Sequence, residues 1–274
     1  MTLGINTHSE DTMKLVNYMS EHYGIRLEKK LSLIEDRLRV VLKQKGFASI
    51  AEYFNYVIND NTGEEAKVLV TRLTTNYTYF MREEVHYKFL TETILPSLTK
   101  TLKDRDLRIW SAGCSSGEEP YTTAMTLDDH FGPDKKNWDT KILATDISPQ
   151  VLAMATEAVY PADRLKNLNP SWIDRYFIKT GADHFMVNDK IRAEVIFRSF
   201  NLMSETLPFR KKFHVIFCRN VMIYFDKKTS EALVNRFCGA LEVGGHLFIG
   251  LSESLTGADS RLKRVRPSIY EKLR

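Results

Sequence analysis

The amino-acid sequence predicts an α/β fold: an open, mostly parallel sheet covered by helices, preceded by an all-helical unit and interrupted by a small antiparallel β subdomain. Three observations carry this expectation. Up to about residue 73 the chain is punctuated by helix start and stop signals. From residue 107 short apolar runs, polar or glycine turns and amphipathic stretches alternate, the pattern of parallel strands joined by helical crossovers. Residues 172–192 then break the alternation with Asp183, Asn188-Asp189 and short apolar pairs, which places the β excursion there. The expected division is residues 1–73 and residues 74–274. At 274 residues, 43% of them apolar, the chain can bury a full core, which excludes a disordered or collagenous protein.

In the helical part, Glu10 and Asp11 fit a first turn and Gly24 a stop. Residues 30–45 place Leu31, Ile34, Leu38, Val41 and Leu42 on one stripe, with Lys30, Arg37, Arg39 and Lys43 on its flanks and Gly46 as a stop. Ser49-x-x-Glu52 and Thr62-x-x-Glu65 have capping-box form. The sheet part predicts strands at 107–110, 141–145, 194–199, 213–217 and 246–250, with helices at 118–131, 149–159 and 229–241. Gly244-Gly245 reads as the turn before the last strand.

The net charge of +4 is a cancellation. Residues 26–45 carry +4 and residues 261–274 carry +5, so the rest of the chain carries −5. A solvated helix face is the plain reading of the first patch, and docking of an acidic partner the sharper one. The second patch suggests no role. Cys114, Cys218 and Cys238 lack C-x-x-C spacing, and the seven histidines lack H-E-x-x-H spacing, so neither a disulfide framework nor a metal site is expected. No signal-peptide pattern and no run of 18 apolar residues is present, which predicts a cytoplasmic protein without membrane insertion.

Ligands of open parallel sheets sit at the carboxyl ends of the strands. The first such loop, Ser111 to Pro120, has Gly113 and Gly117 in G-x-x-x-G spacing, a poor match to the pyrophosphate-binding G-x-G-x-x-G. Glu118 and Glu119 at the following helix start would repel a phosphate and favour an ammonium group. Asp146, at the end of the second strand, stands where a carboxylate accepts ribose hydroxyls. Singly these are a plain turn and a helix N-cap; in this order they point to S-adenosyl-L-methionine, a nucleoside with a cationic tail and no pyrophosphate.

Five strings then become recognisable: Thr75-Asn-Tyr-Thr-Tyr-Phe-Met-Arg82, Trp110-Ser-Ala-Gly-Cys-Ser-Ser-Gly-Glu-Glu-Pro-Tyr121, Ala144-Thr-Asp-Ile147, Phe200-Asn-Leu202 and Ile216-Phe-Cys-Arg-Asn-Val-Met-Ile-Tyr-Phe-Asp226. Together they resemble the chemotaxis receptor glutamate O-methyltransferases, the CheR family, in order and over nearly the whole chain. The resemblance implies a class I S-adenosylmethionine-dependent methyltransferase (Rossmann-like) that esterifies glutamates on the cytoplasmic helical bundle of chemoreceptors and releases S-adenosyl-L-homocysteine. It implies cofactor contacts at Asn76, Thr78, Arg82 and Gly113, the methionyl ammonium at Glu119, the ribose at Asp146 and the adenine between Asn201 and Leu202. Arg219, Asn220 and Tyr224 would line the meeting place of sulfonium and acceptor, with Tyr224 orienting the reacting groups and Arg82 and Arg219 neutralising carboxylates.

Methyl transfer to an ionised glutamate needs positioning and no general base, which fits the absence of His-Asp or Cys-His pairs from these motifs. A helical receptor bearing glutamates also gives Arg26, Lys29, Lys30, Arg37, Arg39 and Lys43 a docking role. One departure concerns family members that bind a receptor-tail pentapeptide through a glycine-rich loop in the β subdomain. Residues 177–184 here have one glycine, so tail-independent recognition by a monomer is expected. The rival readings are a nucleic-acid methyltransferase and a non-catalytic S-adenosylmethionine-binding module. The first lacks an Asn/Asp-Pro-Pro-aromatic string after the fourth strand, where Cys218-Arg-Asn-Val221 stands, and the acidic body disfavours a nucleic-acid partner.

Overall fold

The structure is a computed structural model and describes residues 10–28, 31–255 and 261–274. Lys29 and Lys30 lie outside the described residues.

Four helices make the first unit: α1 (Glu10–Tyr23), α2 (Leu31–Lys45), α3 (Ile50–Ile58) and α4 (Glu64–Leu73). The stripe on α2 is the buried one, with Ile34, Leu38, Val41 and Leu42 packed against Leu15, Met19, Tyr53 and Leu69. Ser49 caps α3 by accepting the Glu52 N–H at 3.1 Å, and Glu52 reaches back to the Ala48 N–H at 2.8 Å. At α4 the expected box changes partners: Asp60 accepts the Glu65 N–H at 2.9 Å, a carboxylate being the stronger acceptor at a helix start.

A helix that sequence patterning does not reveal follows, α5 (Val85–Phe89) and α6 (Leu95–Thr101) joined through a π-helical segment, Leu90–Ile94. Leu90, Ile94 and Leu95 are buried against the sheet. The extra residue of a π turn shifts the apolar phase, which hides the helix from a search at a 3.6-residue period.

The main sheet contains β1 (Ile109–Ala112), β2 (Ile142–Asp146), β6 (Val195–Ser199), β7 (Phe213–Cys218), β8 (Leu241–Ile249), β9 (Leu262–Arg266) and β10 (Ile269–Lys272) in the order β6-β2-β1-β7-β8-β10-β9. The first five are parallel, while β10 pairs antiparallel with both β8 and β9. Its helices α7 (Glu118–Phe131), α8 (Pro149–Glu157) and α11 (Lys227–Ala240) pack with α5 and α6 over two apolar clusters, one on Phe217 and Phe248 and one on Trp110 and Phe237. The strand order reverses between β1 and β7, the switch point at which such sheets bind ligands.

Gly244 and Gly245 do not precede the last parallel strand; they lie within β8. Phe213 pairs with Leu241 while Val215 pairs with His246, so the glycines form a bulge between two paired stretches. The basic C-terminal segment becomes an edge hairpin, with Lys263, Arg264 and Arg266 exposed on the outermost strand, where charge discourages pairing with another chain.

The small antiparallel sheet is β3 (Val159–Pro161), β5 (His184–Val187) and β4 (Phe177–Lys179), in the order β3-β5-β4, followed by the short α10 (Asp189–Arg192). Helix α9 (Pro170–Tyr176) lies between its first two strands in the chain, so the sheet begins before residue 172.

Candidate active site

A cleft opens between the helical unit and the carboxyl ends of β1, β2, β6 and β7, the place at which open parallel sheets bind small molecules. Asn76, Thr78, Arg82, Gly113, Glu119, Asp146, Asn201, Leu202, Arg219, Asn220 and Tyr224 all line it, although they come from five separate stretches of chain. Tyr23, Ile25 and Val70 of the helical unit close one side.

Gly113 explains how the first loop makes room. Its φ is +89°, and a Cβ there would come within 2.5 Å of Val221 Cγ2. Gly117 plays a different part. It does not line the cleft; at φ +95° it packs so closely that a Cβ there would come within 2.9 Å of Ala155 Cβ and 3.0 Å of the Tyr160 hydroxyl. The two glycines therefore set the loop's path between β7 and α8.

Glu119 is held at the floor of the cleft. Its Oε1 accepts the Ser111 hydroxyl at 2.7 Å and its Oε2 accepts Arg219 Nη1 at 3.2 Å. Burial pushes the Glu119 carboxyl above its ordinary value, against the pull of Arg219 and Ser111. Its neighbour Glu118 turns away from the cleft, buried against Ser116 and 3.3 Å from Arg164.

Asp146 accepts the Ser115 N–H at 2.9 Å and the Ser148 N–H at 3.0 Å, one on each carboxylate oxygen. Each oxygen keeps a lone pair for a ribose hydroxyl. Burial raises its pKa, and the backbone donors work against that rise.

The two arginines differ sharply. Arg219, with 2% of its side chain exposed, gives Nε to Glu83 Oε2 at 3.2 Å, Nη1 to Glu119 and to the Tyr87 hydroxyl at 3.3 Å, and Nη2 to the Arg82 carbonyl. It is a buried strut in the cleft wall, and the carboxylates it neutralises here are the chain's own Glu83 and Glu119. Arg82 is half-buried, and among the described residues its side-chain hydrogen bond is Nη1 to the Tyr77 carbonyl at 2.8 Å. The rest of its fork faces the cleft's polar lining and can meet a carboxylate in bidentate fashion.

Two acidic residues outside the recognised strings hold wall residues Arg219 and Asn220 in place. Glu83 sits at φ +57° and accepts from Arg219 and from the Leu251 N–H at 3.1 Å. Burial works against its charge, but Arg219 and the Leu251 amide hold its carboxyl below the ordinary value. Glu253 accepts the N–H groups of Asn220 at 2.9 Å and Ile223 at 3.2 Å, fixing Asn220 in its left-handed conformation at φ +58°. Glu83 immediately follows the string that ends in Arg82, which was its available signal; Glu253 had none.

Tyr224 donates its hydroxyl to the Thr75 carbonyl at 3.0 Å, and Thr75 Oγ1 accepts Arg37 Nη2 at 2.7 Å. Asn201 is tied to the helical unit, with Nδ2 donating to the His22 carbonyl at 3.0 Å and Oδ1 accepting the Met203 N–H at 2.9 Å. One N–H and one lone pair remain for an adenine edge. Leu202 supplies an apolar neighbour.

The basic residues outside the cleft are not one uniform face. Arg37 and Arg39 stand on opposite edges of the exposed side of α2; Arg37 reaches Thr75, while Arg39 pairs with Asp36 at 3.0 Å in solvent. Lys43 is exposed, and Arg26 lies 3.6 Å from Glu28. A second groove beside α2, lined by Arg37, Arg72 and Arg164, shares Asn76 with the cleft.

Among the described residues there is no cluster of His, Cys, Asp and Glu able to hold a metal ion, and no helix long and apolar enough to cross a membrane. The switch-point cleft, the glycine-cradled first loop, the buried acid at the first helix and the acid ending β2 suit a nucleoside with a cationic tail. They define a Rossmann-like S-adenosylmethionine-dependent methyltransferase. Comparison with known proteins agrees: residues 76–270 match the CheR methyltransferase, SAM binding domain, and residues 10–74 match the CheR methyltransferase, all-alpha domain. The chain belongs to the CheR methyltransferase family.

Its relatives include a chemotaxis protein methyltransferase of Borreliella burgdorferi, 43% identical over 98% of this chain and 96% of that protein. Another, from Escherichia coli, is 33% identical over 88% of this chain and 82% of that protein. Chemotaxis protein methyltransferase 2 of Pseudomonas aeruginosa is 36% identical, with coverage of 95% and 92%. The protein is an S-adenosylmethionine-dependent chemotaxis protein methyltransferase, in the class of protein-glutamate O-methyltransferases that the sequence resemblance implied.

Proposed function

We propose that this chain methylates specific glutamate side chains on the cytoplasmic helical bundle of chemoreceptors, working in the cytoplasm as a monomer, with residues 1–73 docking the receptor and residues 74–274 performing the transfer. The observation that carries this is the chain of contacts from Arg37 through Thr75 to the Tyr224 hydroxyl. It joins a cation on the helical unit to the cleft, so an acidic helix drawn to α2 arrives beside the site of chemistry. Arg72 and Arg164 in the adjoining groove add charge along the same approach.

S-adenosylmethionine, when bound, supplies an electrophilic methyl group. The protein's own residues have to hold, orient and desolvate. Glu119 and Asp146 suit the ammonium and ribose ends, and Arg82 suits a carboxylate. A glutamate with pKa about 4.3 is ionised at neutral pH, so no residue has to remove a proton. Tyr224, whose hydroxyl donates a hydrogen bond to the Thr75 carbonyl, lines the space in which acceptor and donor meet and orients them. Arg219 keeps Glu83, Glu119 and the Arg82 backbone in register, which is a positioning role.

Tail-independent recognition is part of the proposal. The β4–β5 turn spans residues 180–183, and its single glycine, Gly181, has open space around it and no left-handed backbone. Tight binding of a receptor-tail pentapeptide, measured by calorimetry, would overturn that part.

The deciding experiment supplies methyl-labelled S-adenosylmethionine and a chemoreceptor cytoplasmic fragment, then treats the labelled product with mild base. Glutamyl methyl esters release methanol. Label that stays on the protein after base would assign an N-methyl product and remove the glutamate reading.

A further inference from the structure

Next to Arg219 and Asn220 of the cleft wall, the chain carries exposed apolar side chains that neither cofactor binding nor methyl transfer uses. Val85, Ile223 and Leu251 are 56%, 52% and 52% exposed. Single exposed aliphatic residues are ordinary on any surface. Ile223 and Leu251 differ because their backbones are fastened to the carboxylates that organise the site, and Val85 follows one of those carboxylates in the chain. Glu83, two residues before Val85, accepts the Leu251 N–H at 3.1 Å as well as Arg219 Nε at 3.2 Å. Glu253 accepts the Ile223 N–H at 3.2 Å as well as that of Asn220 at 2.9 Å. The rim is thus held in place around Arg219 and Asn220, and its backbone has little freedom to lose when a partner binds.

On the helical unit, Arg37 of the adjoining groove is bonded to Thr75 of the cleft wall. A partner that meets both must carry carboxylates and apolar side chains on adjoining faces. An amphipathic helix has that arrangement at the border of its apolar stripe, where an acidic residue has apolar neighbours three and four positions away.

We propose that Val85, Ile223 and Leu251 form a docking rim for the apolar side chains next to the methyl-accepting glutamate on the substrate helix. The enzyme then selects glutamates at an apolar border, while glutamates in the middle of a polar face are poor acceptors. This rests on the receptor reading above and extends it from charge to side-chain context.

The test compares the wild-type protein with the I223S/L251S double variant on a chemoreceptor cytoplasmic fragment. KM for the fragment should rise about ten-fold, which corresponds to about 1.4 kcal/mol of lost contact, with kcat changed less than about three-fold. Affinity for S-adenosylhomocysteine, measured by calorimetry, should stay at the wild-type value. Val85→Ser, at a separate point on the rim, should raise KM in the same direction, and the I223M/L251M variant should return KM to within about three-fold of wild type. An unchanged KM in both serine variants overturns the rim while leaving receptor methylation standing. Absence of label on the fragment with wild-type protein overturns the receptor reading and the rim with it. A wild-type dimer dissolved by I223S/L251S would assign the rim to a second copy of the chain and overturn the proposal.

Discussion

Arg219 and Glu119 form a buried ion pair on the floor of the cleft, Nη1 to Oε2 at 3.2 Å, and Glu83 accepts the other side of the same guanidinium. Removing one member of such a group leaves an uncompensated charge in a desolvated place, typically at a cost of about 3–5 kcal/mol. Arg219→Met should therefore lower the melting temperature strongly, because two carboxylates lose their partner. Glu119→Gln should be milder in stability, since Glu83 still faces Arg219, yet should weaken S-adenosylhomocysteine binding by about ten-fold or more through loss of the ammonium's counter-charge. Equal melting points for Arg219→Met and wild type would show that the strut is dispensable.

Tyr224→Phe removes the hydroxyl that reaches Thr75 and leaves the ring. If that oxygen orients the reacting groups, turnover should fall about 10–100-fold with little change in S-adenosylhomocysteine affinity. Full turnover in the variant, with normal cofactor binding, assigns the ring a packing role alone.

Reversing charge at Arg37 and Arg39 separates docking from solvation. The R37E/R39E variant should raise KM for a receptor fragment several-fold and flatten its dependence on salt, because exposed charges act through a screened field. Arg37 should account for most of the effect, since it alone of the two contacts the cleft wall. A wild-type salt profile in the variant would return α2 to a solvated face.

His86 gives a pH signature. It is fully buried, with Nε2 2.7 Å from Ser268 Oγ and Nδ1 3.4 Å from Glu83, and burial together with the nearby Arg219 pushes its pKa down to about 4. Its folded pKa lies below its unfolded value of about 6.5, so the unfolded chain takes up a proton that the folded chain refuses. The contribution is complete above pH 6.5 and is lost progressively as the pH falls toward 4. Denaturant unfolding should show stability declining over that window, and His86→Gln should flatten part of the decline. His246, also pushed down to about 4 by burial, should supply a further part, and His214 and His130, which burial lowers too, add to it.

Much of this was legible in the sequence because it depends on local rules. The α2 stripe of Ile34, Leu38, Val41 and Leu42, the Ser49 cap and the loops ending in Asp146 and Asn220 follow from periodicity and turn chemistry. The helix through Val85 and Leu95 was hidden by its π-helical segment, and the bulge at Gly244 resembled a turn because glycine marks both. Glu253 was illegible, since nothing near it in the chain indicates that it will accept the N–H of Asn220, 33 positions earlier.

The sequence by itself determined the layered fold, the family and the set of polar residues that gather at one end of the sheet, because spacing and residue chemistry are properties of the chain. Only the tertiary structure decided how those residues divide their work. Arg82 and Arg219 stand in equally distinctive motifs, yet burial between Glu83 and Glu119 makes Arg219 a strut, and partial exposure leaves Arg82 able to bind. The reason is physical: a guanidinium's role depends on which carboxylates reach it and how much water it keeps, and both are set by contacts distant in sequence.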